Sequence, residues 1–347
     1  MKVVFRADAS PAIGHGHVMR CLALADALRV HGAQCIFVCR RGGDAAAAAV
    51  SAAGFALRVI VASDGELHAD AAATSAALAG DSVTDWLVVD HYQLDAAWES
   101  ALSAQVGAVM AIDDLADRPH ACRLLLDQNW HDDPAARYAG LLPPGCDTLF
   151  GPAWALLRSE FAAARATRPA RRDQPHRVLV CFGGGDAPNA TGQVLQALAP
   201  LAPRFELDVV VGAGNPHQHA LRDLCRSLPG ASLTIGAGDV AHRMAAADLF
   251  IGAGGTMTWE RACLGLPGIT IAIADNQLAL SRRLAAAGEG IDLGSLSPDA
   301  LARLPAAVEA MLADADSLQK MSEALSRRCD GLGAARVAER LYGLRAS

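Results

Sequence analysis

Apolar runs of strand length alternate with helix-length, alanine-rich stretches along the first 127 residues: "VVFRA", "CIFVC", "LRVIV", "WLVVD", "AVMAID" and "LLLD". Runs that are apolar throughout predict strands buried on both faces, and strands separated by helices predict βαβ units in a parallel sheet. A doubly wound amino-terminal domain is therefore expected over residues 1–164. The segment 165–176, "RATRPARRDQPH", replaces the pattern with prolines and arginines and reads as a linker. The alternation restarts with "RVLVCFGGG", "FELDVVVGAG", "ASLTIG", "DLFIGAGG" and "PGITIAIA", which predicts a second domain of the same class over 177–330. From about residue 298 the strand signals stop. Helical patterns such as "LARLPAAVEAML" and "AARVAERLYGL" then run to the end, with a helix start after Ser297-Pro298. The last helix, 331–347, is a candidate for packing back on the first domain.

Length agrees with this division, since 347 residues suit two α/β domains of ordinary size. A hydrophobic fraction of 52% raises the question of a membrane, but alanine supplies much of it. No uninterrupted apolar run approaches the roughly 20 residues of a spanning helix. The start "MKVVFRADAS" lacks the apolar core of a signal peptide, so a cytoplasmic chain without a membrane span is expected. Nine cysteines are scattered without a C-x-x-C pair and read as reduced core residues. A formal charge of −7 argues against a nucleic-acid partner. The one basic cluster, Arg165, Arg168, Arg171, Arg172 and Arg177, lies in and beside the linker segment.

Doubly wound sheets bind ligands at the carboxyl ends of their strands, so chemistry is sought in the strand-to-helix loops. In "ADASPAIGHGH", Gly14 and Gly16 allow close backbone approach to a ligand. The following helix start favours an anion such as a diphosphate. His17 stands near that helix start, where the dipole disfavours imidazolium and leaves a neutral base. A capping or structural histidine and an H-x-H metal pair with His15 are the alternatives. "WLVVDHYQLD" sets Asp90, His91 and Tyr92 at the next strand end, with Tyr92 alternatively a core-edge cap. "IDDLADRPHACRLLLDQN" offers Asp113 and Asp114 as acid/base groups, magnesium ligands or a solvated turn. In "CFGGGDAPNAT", glycines 183 to 185 suit close approach, with Asn189 and Thr191 available to start a helix; the loop fits neither the dinucleotide fingerprint nor the P-loop. "IGAGGTMTWERACLGLPGI" repeats the design with Gly252, Gly254 and Gly255, Thr256 as a cap, and Glu260 able to accept ribose hydroxyls. Asn276 and Gln277 in "AIADNQLAL" suit sugar hydroxyls or acetamido groups, or are turn formers.

In order along the chain, "FRADASPAIGHGHVMRCLALA", "VVDHYQLD", "IDDLADRPHACRLLLDQN", "GAGGTMTWERACLGLP" and "ADNQ" resemble the UDP-2,4-diacetamido-2,4,6-trideoxy-β-L-altropyranose hydrolases (PseG) of pseudaminic acid biosynthesis. That family is similar to the peptidoglycan N-acetylglucosaminyltransferase MurG. The resemblance implies an α/β chain of the GT-B class, two doubly wound Rossmann-like domains facing across a cleft, with UDP held mainly by the second. It implies His17 as the general base that activates water for inverting attack on the anomeric carbon. Tyr92, Asn276, Gln277 and Arg158 are implied at the sugar, and Gly14, Gly16, Gly184, Gly254, Gly255, Thr256 and Glu260 at UDP. It implies no metal and no cofactor, a small-molecule UDP-sugar partner and a monomer. A GT-B glycosyltransferase using a UDP-amino sugar and a non-catalytic UDP-sugar-binding protein are the alternatives.

Overall fold

The computed structural model describes every residue except 10–13, 43, 63–64, 81–82, 171 and 346–347, so Arg171 of the basic cluster lies outside the described residues. The chain divides into two compact units, Met1–Arg158 with Leu332–Ser347, and Ser159–Gly331.

The first unit runs β1 (Lys2–Ala7), α1 (Gly16–Val30), β2 (Gln34–Arg40), α2 (Asp44–Ala52), β3 (Ala56–Ile60), α3 (Leu67–Leu78), β4 (Thr84–Asp90), α4 (Ala96–Leu102), β5 (Val106–Ile112), β6 (Leu124–Asp127), α5 (Pro134–Arg137) and β7 (Asp147–Phe150). The second comprises α6 (Ser159–Thr167), β8 (Arg177–Cys181), α7 (Ala190–Leu198), β9 (Glu206–Val211), α8 (Gln218–Ser227), β10 (Ala231–Ile235), α9 (Val240–Ala246), β11 (Leu249–Gly252), α10 (Thr256–Cys263), β12 (Gly268–Ala272), α11 (Leu278–Ala286), β13 (Ile291–Ser295), α12 (Pro298–Ala313) and α13 (Ala315–Arg328). Helix α14 (Gly333–Arg345) completes the first unit.

Both sheets are parallel, in the orders β3-β2-β1-β4-β5-β6-β7 and β10-β9-β8-β11-β12-β13. Each reverses direction once, between β1 and β4 in the first unit and between β8 and β11 in the second. In such a sheet that is where the strand-end loops part and leave room for a ligand. The fold is thus α/β, with two Rossmann-like domains. The central strands are mainly apolar because helices cover both faces: Val3, Phe5, Trp86 and Val88 pack toward α1 and α14, and Val4, Leu87 and Val89 toward the opposite core, while the buried Arg6 of β1 is paired with Asp8 and Asp70.

Helix α1 buries Ala23 and Leu24 as well as Val18, Cys21, Leu22, Ala25 and Leu28, more than one amphipathic face requires. The reason is α14, whose Val337, Ala338 and Leu341 share its core. The indole N–H of Trp86 donates to the carbonyl of Leu341 in α14 (3.2 Å).

Two strands escape the sequence pattern, β7 and β13. Both are short edge strands in which Asp147 and Thr148, or Asp292 and Gly294, interrupt the apolar run. The chain passes into the second unit between Arg158 and Ser159, ahead of the segment read as a linker. Arginines of that segment bind second-unit groups: Arg165 donates to the carbonyls of Cys263 (2.7 Å), Ser326 (2.9 Å) and Cys329 (3.0 Å), and Arg172 pairs with Asp248 (3.0 Å). No helix among the described residues is long and apolar enough to cross a membrane.

Candidate functional site

At the switch point of the first unit, Ala7 at the end of β1 sits in register with Asp90 at the end of β4. Gly14 adopts φ +80°, a left-handed conformation natural to glycine, as the chain turns into α1. His15 occupies the N-cap position, where its carbonyl accepts the amide of Met19 (3.0 Å), and Gly16 is the first helical residue. Among the described residues no side chain caps α1, and no acidic residue lies in its first turn, an arrangement that favours an anion at its positive end.

His17 follows in that first turn, 5% exposed, with Nδ1 2.5 Å from Oδ1 of Asp90. Arg20 is three residues further along the same helix face and closes on Asp90 with two donors, Nε to Oδ2 and Nη2 to Oδ1, both at 2.6 Å. Its third nitrogen, Nη1, reaches Asp114 Oδ2 at 3.2 Å. The Tyr92 ring packs edge-on against the imidazole, 4.5 Å between centroids.

Burial opposes ionisation of Asp90, but the Arg20 charge and then His17 hold its carboxyl well below the usual carboxylate range. An ionised Asp90 accepts the proton of His17 Nδ1, which fixes the tautomer and leaves Nε2 as the nitrogen that takes a proton. The Tyr92 phenol is pushed up, by burial first and then by Asp114, so it remains a neutral hydroxyl, hydrogen-bonded to Asp114.

The D-H-Y triplet separates as the chain leaves β4. Asp90 and Tyr92 face His17, whereas the buried His91 accepts the amide of Gln93 at Nδ1 (3.1 Å) and turns Nε2 to Asp8 (3.4 Å). The Asp113-Asp114 pair also splits. Asp113 is a structural acceptor for Arg118 (2.9 Å), the amide of Ala116 (2.9 Å) and the hydroxyl of Tyr138 (3.0 Å), and only Asp114 joins the His17 group. Neither a solvated turn nor a twin-carboxylate metal site describes them. Among the described residues no group of three or more His, Cys, Asp or Glu is placed to hold a metal ion.

In the second unit two glycine-rich loops meet at the switch point. Gly252 ends β11 against β8, where a Cβ would strike the carbonyl of Cys181. Gly255, with φ +93° and ψ −149°, is the N-cap of α10. Thr256, expected as the cap, is instead the first helical residue, because the sharp entry into α10 needs a conformation that essentially only glycine takes. Helix α10 has neither a side-chain cap nor an acid in its first turn; Glu260 stands in the turn that follows.

Helix α7, after Gly183–Gly185, differs. Asp186 accepts the amides of Ala190 (2.7 Å) and Thr191 (2.9 Å), and Asn189 accepts that of Gly192 (3.2 Å). The end of α7 thus carries its own anion. What this loop can offer a ligand is the backbone around Gly184, whose carbonyl lies where a Cβ on Gly212 would be. Gly254 packs against Gln277, whose side-chain oxygen accepts the amide of Ile273 (3.0 Å), while Asn276 is exposed.

Expected site residues therefore gather in two groups: Gly14, Gly16, His17 and Tyr92 in the first unit, and Gly184, Gly254, Gly255, Thr256, Glu260, Asn276 and Gln277 in the second. Arg158 is the last residue of the first unit, partly exposed. Sequence reading did not connect Arg20 or Asp114 to His17. The spacing of Arg20, one helical turn after a candidate base, was the available signal.

No family model matches the sequence. Two curated proteins are similar to it. The UDP-2,4-diacetamido-2,4,6-trideoxy-beta-L-altropyranose hydrolase of Campylobacter jejuni is 26% identical over 226 residues, 65% of this chain and 75% of the relative. The spore coat polysaccharide biosynthesis protein SpsG of Bacillus subtilis is 31% identical over 153 residues, 43% of this chain and 45% of the relative. Among solved structures, MurG of Acinetobacter baumannii superposes with a TM-score of 0.66 at 16% identity, over 99% of both chains. The chain is thus PseG-like in sequence and MurG-like, of the GT-B class, in fold.

Proposed function

We propose that the protein hydrolyses a UDP-linked 2,4-diacetamido-2,4,6-trideoxyhexose at its anomeric carbon, releasing UDP and the free sugar. The observation that carries this reading is the His17–Asp90 pair at 2.5 Å, which leaves Nε2 of the imidazole as the free ring nitrogen beside the start of α1. Nε2 takes a proton from water as the water oxygen bonds to the anomeric carbon from the face opposite the diphosphate. The C–O bond to the diphosphate breaks with its electron pair, and the configuration inverts. The leaving group is already good, so catalysis needs a placed base and donors for the departing charge. Tyr92, Asn276, Gln277 and Arg158 are assigned to the sugar. The backbones of Gly14, Gly16, Gly184, Gly254 and Gly255, with Thr256 at the open end of α10, are assigned to the diphosphate, and Glu260 to the ribose. Similarity to the Campylobacter jejuni hydrolase supports the substrate class.

Incubation with the UDP-sugar in ¹⁸O-water containing EDTA tests the reading. The sugar is expected to acquire ¹⁸O; label in the phosphate overturns C–O cleavage. Transfer to an acceptor with no turnover in water identifies a glycosyltransferase, and binding without product a non-catalytic protein. His17→Ala is expected to fold and to lose roughly 10² to 10⁴ in rate. Near-normal turnover by that variant removes His17 from the mechanism.

A further inference from the structure

Asp90 does not give its whole charge to His17. Fully buried, it is bound at both oxygens by Arg20, and Nη2 of that guanidinium lies only 3.3 Å from Nδ1 of His17. In an ordinary histidine–aspartate pair the carboxylate stabilises the imidazolium that forms when the base takes its proton. Here Arg20 shares the carboxylate with the imidazole, and α1 adds the positive end of its dipole. Taken alone, His17, Asp90 and Arg20 would acquire a net positive charge on protonation, in a place that water hardly reaches. Asp114 changes this balance. Its Oδ2 accepts Nη1 of Arg20, Tyr92 is hydrogen-bonded to the same carboxylate, and its Oδ1 is buried with no hydrogen-bond partner among the described residues. With His17 neutral, Asp90, Asp114 and Arg20 leave one net negative charge, and the proton accepted by His17 cancels it.

We propose that Asp114, acting through Arg20, is a positioning residue that balances the charge of the imidazolium formed at His17. The inference rests on the reading of His17 as a base. The groups facing the imidazole are Asp90 from β4, Arg20 from its own helix, Tyr92 from the loop after β4, and Asp114 behind Arg20. Cys21 contributes only a thiol that donates to Asp90 Oδ2 at 3.6 Å. Two substitutions should therefore act in opposite directions, which a merely structural role would not produce. Asp114→Asn retains an acceptor for Arg20 and Tyr92 but removes the balancing charge, so His17 should titrate lower by roughly half a unit to one unit. Arg20→Gln removes the nearby cation and returns the charge of Asp90 to His17, so its titration should rise by about one unit or more.

The test is ring-nitrogen NMR of His17 in the full-length protein between pH 4.5 and 9.5, assigned by subtraction with His17→Gln. The pH profile of kcat/KM on the UDP-sugar is measured alongside, with its acid limb moving in the same directions. Asp114→Glu should restore the wild-type midpoint. Midpoints that stay still or move together, or a His17 that does not titrate in the wild-type protein, overturn the assignment even where hydrolysis is observed. Opposed midpoints without turnover of the UDP-sugar support the assignment and overturn the hydrolase reading instead. Should Arg20→Gln fail to fold, the Asp114 pair decides: a midpoint that does not fall in Asp114→Asn and recover in Asp114→Glu overturns the proposal.

Discussion

His120 is held between two carboxylates, with Nδ1 2.7 Å from Glu99 and Nε2 3.8 Å from Asp113, and all three side chains are buried. Burial alone would lower its pKa, but the neighbouring carboxylates, Asp113 as an ion-pair partner and Glu99 through a hydrogen bond, raise it to about 9. A folded-state pKa above the unfolded value of about 6.5 means stability that is complete below about pH 6.5 and is lost as pH rises through about 9. The span corresponds to about 3 kcal/mol as an order of magnitude. Urea denaturation at pH 6 and pH 9.5 should show the wild-type protein weakening with pH, while His120→Gln, weaker at pH 6, changes much less. Equal pH dependence in the two proteins contradicts the assignment. Residues such as this mark the limit of reading a site from sequence. His17 was legible because glycines and a helix start surround it locally. Its partners Asp90 and Asp114 lie 70 and 94 residues beyond Arg20, and only the parallel order of the strands brings them together.

At the level of elements, the buried central strands were legible because helices on both faces demand unbroken apolar runs, whereas β7 and β13 at the sheet edges carry no such demand. The same logic separates the helix starts. A glycine-rich loop before a helix was read alike at α7 and α10, yet α7 fills its own end with Asp186, and α10, entered through Gly255, does not. The angles of Gly255, φ +93° and ψ −149°, cost a residue with a Cβ about 1 to 3 kcal/mol, although nothing lies within 4 Å of the position such an atom would take. Gly255→Ala should therefore act through backbone conformation and not through a clash. On the proposed assignment of the α10 start to the diphosphate, it should turn the first amides of α10 away from that group and weaken UDP binding tenfold or more by titration calorimetry. An unchanged affinity would remove the α10 start from the UDP site.

At the scale of the whole chain, the path leaves the first unit at Arg158, builds the second, and returns at Leu332, so α14 is separated by the entire second unit from the strands it covers. Its apolar residues pack with α1 and the β1–β4 face, and the buried indole N–H of Trp86 depends on the carbonyl of Leu341. An unfilled space at Leu341, which is fully buried, should cost about 2 to 5 kcal/mol. Because the contacts of Leu341 lie within the first unit, that loss should be local. In Leu341→Ala, hydrogen exchange should accelerate in α1 and β4, while β8 and β11 keep their wild-type protection, since their core is built from other residues. Comparable loss of protection in β8 and β11 would mean that the two units unfold as one cooperative body, and that α14 stabilises the whole molecule and not only the half it packs on.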